Sequence, residues 1–138
     1  MMKRHFDQEF NSLKEQILAM GKLVQEAIDH AIQGLIARDV SHFKLVHEIE
    51  SNINKCHVDI DEFCLKLLAR QSPLAANLRF VFSVVKINAD LERMGDQAVN
   101  IAYNSQHYLM SAPIKPLVDL PKMAEGTKSM SSDAIEAF

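Results

Sequence analysis

The chain has 138 residues, the length of one ordinary domain, and 48% of them are hydrophobic, so a single core can form without disulfide bonds. Its formal net charge is −3, and its basic residues are interspersed with acidic ones, which excludes the basic surface typical of nucleic-acid-binding proteins. No apolar run approaches the roughly 20 residues of a membrane-spanning helix, and we expect no signal peptide behind Lys3 and Arg4. These features predict a soluble, cytoplasmic protein that neither binds nucleic acid nor inserts into a membrane.

Apolar residues recur every three or four positions in the first part of the chain, which predicts a helix over about residues 3–37. This row consists of Phe6, Phe10, Leu13, Ile17, Met20, Val24, Ala27, Ala31 and Leu35. The stretch Arg38-Asp39-Val40-Ser41 then supplies a break and an N-cap for a second helix.

The second helix has its own apolar row and ends near Arg70. The row consists of Val46, Ile49, Ile53, Cys56, Ile60, Phe63 and Leu67. Cys56 and Cys64 lie eight residues apart on this helix, about 12 Å at the helical rise, so they cannot form a disulfide with each other. We interpret them as small core residues in a reducing compartment.

A third helix is predicted to begin at Ser72 and Pro73, because serine is a favourable N-cap and proline suits the first helical position. It carries two overlapping apolar rows, so we expect it to contact neighbours on two sides in the centre of the bundle. The rows are Leu78, Val81 and Val85, and Val84, Ile87, Leu91, Met94, Ala98 and Ile101.

A proline-containing linker over residues 111–116 precedes a fourth helical segment over residues 117–138, with Asp119 as its candidate cap. The apolar row of this segment continues to the last residue, so we expect this face to meet further chain or a partner. The row consists of Leu120, Met123, Thr127, Met130, Ala134 and Phe138.

The connections between these helices are short, so consecutive helices must be antiparallel neighbours. The predicted fold is therefore all-α: an antiparallel up-down three-helix bundle over residues 3–110, followed by the linker and a partial fourth helix.

Polar residues at helical spacing lie beside the apolar rows of the second and third helices. They are Glu50, Asn54, His57 and Asp61 on the second helix, and Asn88, Glu92, Asp96 and Asn100 on the third. If the two helices fold back about Ser72, the two rows lie at similar heights. Oxygen donors with one imidazole would suit Mg, Mn, Fe or Ca, so the rows predict a metal site.

Simpler interpretations remain open at these positions. Arg93 could neutralise Asp90 or Asp96 in a salt bridge, and His57 could be an ordinary hydrogen-bonded residue at the helix surface. The other histidines show no paired ligand spacing and are expected to be solvated: His5, His30, His42, His47 and His107. Glu-x-x-His repeats, a phosphate-binding glycine loop and a nucleophile elbow are all missing from the sequence, so we do not expect an enzyme.

Three passages resemble the PhoU family of phosphate-signalling regulators. They are ILAMGKLVQEAI from Ile17, IDEFCLKLLARQSPLAANLR from Ile60 and, as the most specific, NADLERMGDQAVNIA from Asn88. The likeness covers the chain from about Phe6 to the start of the fourth helix. It implies a three-helix repeat used twice in a longer chain, of which this sequence would hold the first repeat and the start of the second.

The resemblance also implies a function and a site. Family members carry acidic E(D)-x-x-x-D motifs that can bind metal clusters; Glu92 and Asp96 match one motif, whereas His57 stands in the other, before Asp61, where a carboxylate is expected. The implied cofactor is a divalent or trivalent ion: Fe, Mn, Mg, Ca or Zn. The implied partners are the phosphate ABC transporter, by peripheral association, and a sensor histidine kinase. The apolar row that continues to the last residue separately predicts a homodimer.

The sequence is therefore compatible with three functions. The first is a non-catalytic, metal-binding regulator of phosphate uptake and phosphate-responsive two-component signalling that acts by docking. The second is a helical interaction or dimerisation module without a metal. The third, a metal-dependent hydrolase or oxidase, lacks a general base and a substrate cleft.

Overall fold

The computed structural model describes the backbone of residues 2–70 and 75–138, and the side chains of residues 7–69 and 77–138. This part of the chain forms four helices, α1 (Met2–Ala37), α2 (Ser41–Arg70), α3 (Ala75–Leu109) and α4 (Asp119–Ala137), and contains no strand. The prediction of an all-helical chain is confirmed. The predicted cap at Ser72 and Pro73 lies outside the described residues.

The first three helices alternate in direction. Phe10 near the start of α1 contacts Phe80 near the start of α3, with ring centroids 5.0 Å apart. Arg38, just after α1, reaches the end of α3, where its Nη2 donates to the carbonyl oxygen of Leu109 at 3.1 Å. α1 and α3 are therefore parallel to each other, and α2 runs antiparallel between them in the chain order.

The predicted apolar rows of α1 and α2 form the core. Leu13, Ile17 and Met20 of α1 are at most 1% exposed and pack with Ile53 and Ile60 of α2, both fully buried. Burial of each such side chain contributes about 1.5–3 kcal/mol of transfer free energy. The three-helix bundle thus owes its stability to these heptad-like rows, while Leu78, predicted to lie in the core row of α3, is 48% exposed.

The turn between α1 and α2 closes one helix and opens the next. The amide of Asp39 donates to the Gly34 carbonyl oxygen at 3.0 Å and that of Arg38 to the Leu35 carbonyl oxygen at 3.4 Å, with Arg38 in the left-handed region at φ 53°. This is the Schellman arrangement of a helix C-terminus. The Asp39 carboxylate then accepts the Ser41 amide at 3.0 Å and the Ser41 hydroxyl at 2.7 Å, so Asp39, rather than Ser41, caps α2.

α4 lies antiparallel along α1, and within the described residues its backbone approaches no other helix. Lys128 Nζ binds Asp29 Oδ1 at 2.8 Å, and Phe138 stacks on Phe80 with centroids 5.7 Å apart. The residues of α4 that face the bundle coincide only in part with the predicted apolar row: Thr127 and Phe138 are half-buried, whereas Met123 and Met130 are 65% and 68% exposed. The half-buried positions of this segment are Leu117, Pro121, Ala124, Thr127, Lys128, Ser131, Ile135 and Phe138.

Contrary to expectation, α1 rather than α3 holds the central position. It contacts α2, α3 and α4, whereas α3 contacts α1 and α2. The reason is that the backbone of α4 runs along α1, where Gly21 leaves space for Ile135 of α4, whereas only side chains of α4 reach toward α3. No described helix combines the length and the apolar character that a membrane crossing requires.

Candidate functional site

Three ionisable side chains from α2 and α3 meet around one imidazole nitrogen. His57 Nε2 lies 3.2 Å from Glu92 Oε2 across the helix interface and 3.5 Å from Asp61 Oδ2 one turn along α2. The three side chains are 23%, 34% and 43% exposed, so solvent reaches the cluster from one side. We call His57, Asp61, Glu92 and the neighbouring Asn88 the His57 cluster.

Asn88 anchors this cluster from α3. Its side chain is fully buried, and its Nδ2 donates at 3.0 Å both to the carbonyl oxygen of His57 and to Asp61 Oδ1. The orientation of the amide follows from this pairing, since the opposite one would set its oxygen against a carboxylate. Asn88 therefore fixes the relative positions of α2 and α3 at the height of the cluster.

Two buried polar atoms of the cluster have no hydrogen-bond partner among the described residues: His57 Nδ1 and Asn88 Oδ1. A buried polar atom without a partner costs about 1–3 kcal/mol. Such atoms are expected where a water molecule or an ion completes a site. Both lie in the side chains that join the two helices.

The remaining predicted site residues are dispersed. Glu50 Oε1 accepts from Asn54 Nδ2 at 2.7 Å within α2. Arg93 Nη1 pairs with Asp90 Oδ1 at 3.2 Å, which realises the salt bridge considered from the sequence. Asp96 is exposed, as is Asn100, whose Nδ2 donates to Gln97 at 3.4 Å.

The register of α2 against α3 explains which residues of the two helices meet. His57 is level with Glu92, and a Cβ added to Gly95 would meet Ile53 Cδ1 at 3.2 Å, so the register of α2 against α3 is shifted by about four residues from the one expected for a bend at Ser72. This shift brings His57 and Asp61 to Glu92 and Asn88. It moves Glu50 and Asn54 to the height of residues 94–98, one turn beyond Glu92.

The residue types of the His57 cluster are suitable metal ligands, but their side chains are not arranged around a common point. Two carboxylates and an imidazole are ligands of Mn, Fe and Zn. Ligands of one ion at about 2.0–2.1 Å lie about 3–3.4 Å apart, close to the distances from His57 Nε2 to its two carboxylates. However, the carboxylates surround the nitrogen itself, and no three described His, Cys, Asp or Glu side chains form a ready metal cage.

The two cysteines lie on α2, take no part in the contacts of the His57 cluster, and have thiols that favour the protonated form. Burial raises the pKa of the Cys64 thiol to about 11, and burial also raises the pKa of Cys56. A thiol binds a metal ion as the thiolate, and the thiolate is scarce well below the pKa. The two residues are free thiols, Cys64 buried and Cys56 half-buried.

One pair of residues was wrongly interpreted from the sequence. His30 of α1 and His42 of α2 are half-buried, and their Nδ1 atoms lie 3.0 Å apart. The expectation that both are solvated rested on the absence of helical ligand spacing. The pair is formed across the turn between two helices, and only the predicted antiparallel hairpin could have revealed it.

The comparisons with known proteins agree with this architecture. A family model described as the PhoU domain matches residues 17–105. A homologue of the phosphate-specific transport system accessory protein PhoU from Aquifex aeolicus is 38% identical over 130 residues, which are 94% of this chain and 59% of that protein. The chain thus spans about three fifths of the length of such relatives.

Solved structures match equally well. The crystal structure of PhoU from Pseudomonas aeruginosa superposes with a TM-score of 0.92 at 32% identity, over 96% of this chain and 64% of that one. The phosphate transport system regulatory protein PhoU from Streptococcus pneumoniae gives a TM-score of 0.84, also at 32% identity, over 96% and 62% of the two chains. On the combined match of family model, sequence and structure, the chain belongs to the PhoU family.

Proposed function

We propose that this chain is part of a non-catalytic regulator of phosphate uptake and of phosphate-responsive two-component signalling, acting by docking on other proteins. The observation that carries this proposal is the match to relatives named as accessory or regulatory proteins of phosphate transport, over nearly all of this chain. The proposed partners are the phosphate ABC transporter and a sensor histidine kinase, with the protein at the cytoplasmic side of the membrane.

We further propose that the His57 cluster binds a metal ion. His57, Asp61 and Glu92 would be its ligands, and the other predicted donors, Asp96, Asn54 and Glu50, lie about one turn farther along the bundle. The distances of 3.2 and 3.5 Å from His57 Nε2 to the Glu92 and Asp61 carboxylates support this assignment, because they are close to the separation of ligands around one ion. The bound ion would neutralise two carboxylates and tie α2 to α3. Fe, Mn and Zn suit this mixed donor set better than Mg or Ca.

A docking surface is expected near the α2–α3 end of the bundle. Leu65, Leu68, Leu78 and Phe82, here called the hairpin patch, are 67%, 38%, 48% and 59% exposed. By the hairpin register, Leu65 is level with Phe82, and Leu68 with Leu78. Exposed large apolar side chains gathered in one region are typical of protein interaction sites. Given the relatives' names, we propose the phosphate ABC transporter as the occupant.

The test is binding of the purified chain to the cognate transporter reconstituted in nanodiscs. We expect saturable binding by the parent chain and at least about tenfold weaker binding by Leu65→Glu with Phe82→Glu, the loss typical of removing central apolar contacts. The matched control is Val40→Glu, at the opposite end of the bundle, where Val40 is 60% exposed. It should bind like the parent.

Equal binding by both variants would exclude the hairpin patch. Failure of the parent chain to bind would overturn docking on the transporter as a property of this part of the protein.

The second candidate is an interaction or dimerisation module without a metal. It is favoured by the exposed apolar side chains of α4, Met123 at 65% and Met130 at 68%. An apolar groove between α1, α3 and α4 adjoins them, and its described lining contains no acid, histidine or cysteine. We propose a homodimer through this region; a solution mass of one chain at every concentration would exclude it.

A further inference from the structure

His30 and His42 form a preorganised pair at the end of the bundle opposite the hairpin patch. Their Nδ1 atoms are 3.0 Å apart, and the ring centroids are separated by 5.3 Å at an interplanar angle of 35°. The rings come from two different helices. The pair therefore depends on how closely α1 and α2 approach each other.

Gly34 permits that approach. It follows His30 by one turn on α1, and a Cβ at this position would lie 2.9 Å from the His42 Cβ and 2.7 Å from Phe43 Cε1. Phe43, the next residue after His42, is fully buried and fixes the start of α2. The two imidazoles are thus held together by the core rather than by their own attraction.

Two imidazole nitrogens 3.0 Å apart repel each other unless a proton or a metal ion lies between them. One possibility is a single proton, donated by one ring to the other. The other is a cation that both lone pairs face, since adjacent ligands at about 2.0–2.1 Å from an ion lie about 3–3.4 Å apart. The pair matches this second geometry without any movement of the backbone.

The far nitrogen of His42 supports metal ligation. Its Nε2 lies 4.0 Å from Asp39 Oδ2, which is longer than a hydrogen bond, so this carboxylate acts on the ring through its charge; Asp39 is itself held by two hydrogen bonds from Ser41. Histidines that bind metals commonly direct their other N–H toward a carboxylate, which leaves the ligating nitrogen unprotonated. The His42 side chain is 28% exposed, so an ion and its water ligands can reach the pair from solvent.

We infer that His30 and His42 together bind a divalent transition-metal ion of the Zn²⁺ or Ni²⁺ type through their Nδ1 atoms, with water completing the coordination. Imidazole nitrogen selects ions of this class over Mg²⁺ and Ca²⁺, which prefer oxygen. This site is distinct from the His57 cluster, which lies on α2 and α3 farther along the bundle. The inference does not depend on the proposed function.

The experiment is calorimetric titration of Zn²⁺ into the full chain carrying His57→Asn, which removes the imidazole of the other cluster. One equivalent should bind, and His30→Asn or His42→Asn should abolish it. Asp39→Asn keeps an N-cap on α2 and should weaken Zn²⁺ binding by about tenfold, the effect of losing an orienting carboxylate. His47→Asn, at an exposed histidine of α2, is the matched control and should bind like its parent.

NMR spectra of the same chain provide a reading that needs no substitution at the pair. Zn²⁺ should shift the ring signals of His30 and His42 together at one equivalent and leave those of His47 in place. Unshifted ring signals, or Zn²⁺ binding that survives both histidine substitutions, would overturn the inference. The pair would then be a hydrogen bond that shares one proton.

Discussion

Arg38 combines a strained backbone conformation with a side-chain contact to the end of α3. It adopts the left-handed backbone conformation that a Schellman C-terminus requires, although glycine is the usual residue there. The guanidinium compensates by binding the end of α3, donating to the carbonyl oxygens of Leu109 and Ser111 at 3.1 and 2.7 Å. These contacts satisfy carbonyl groups that a helix end leaves free.

The two roles of Arg38 can be separated by substitution. Arg38→Ala loses the contacts and keeps the strain, so it should lower the free energy of unfolding by about 1–2 kcal/mol. Arg38→Gly loses the contacts but relieves the strain, and should be about 1 kcal/mol more stable than Arg38→Ala. Urea denaturation of the three proteins measures both differences. Equal stability of the Gly and Ala variants would show that the backbone at this position is not strained.

Residues that meet within one helix were easier to predict than residues that meet across helices. The spacing of His57 and Asp61, and of Asn88 and Glu92, could be read from the sequence because helical periodicity places them on shared faces. The pairing of His30 with His42 depends instead on a turn of known length and on Gly34. Helical periodicity alone does not predict which side chains of two different helices come into contact.

At the scale of elements, α4 carries two adjacent rows of residues, and the sequence did not show which row faces α1. Its row containing Met123 and Met130 is the more apolar, yet the row containing Lys128 and Ile135 faces α1. Lys128 is retained on the contact face because Asp29 of α1 pairs with it at 2.8 Å. Hydrophobicity alone therefore predicted the helix but only part of its docking face, whereas the rows of α1 and α2 were unambiguous.

Gly21 determines whether α4 can dock. A leucine there would occupy the space taken by Ile135, whose Cγ1 lies 3.3 Å from the position of an added Cβ. Gly21→Leu should release α4 and raise hydrogen exchange of its amides by at least about tenfold, while α1–α3 remain protected. Gly126→Leu is the control, because no atom lies within 4 Å of a Cβ at Gly126. Unchanged exchange in α4 of Gly21→Leu would contradict this docking mode.

At the scale of the whole molecule, fold and site differed in how well the sequence predicted them. Long periodic helices with short connections admit essentially one arrangement, so the three-helix bundle followed from the sequence. The metal-site prediction needed the register of α2 against α3, and a shift of about four residues in that register placed Asp61 and Asn88, rather than Glu50 and Asn54, beside Glu92 and His57.

The central claim is that α2 and α3 jointly bind a metal ion, and metal analysis of protein purified without chelator tests it most directly. The protein should carry His30→Asn, so that the His30–His42 pair does not contribute, and should be equilibrated with Mn²⁺, Fe²⁺ or Zn²⁺ before desalting. The matched variants add Asp61→Asn with Glu92→Gln, or, as a control at exposed acids, Asp90→Asn with Glu125→Gln. We predict one bound ion in the parent and the control and none in the cluster variant; an ion-free parent, or an ion kept by the cluster variant, would contradict the account.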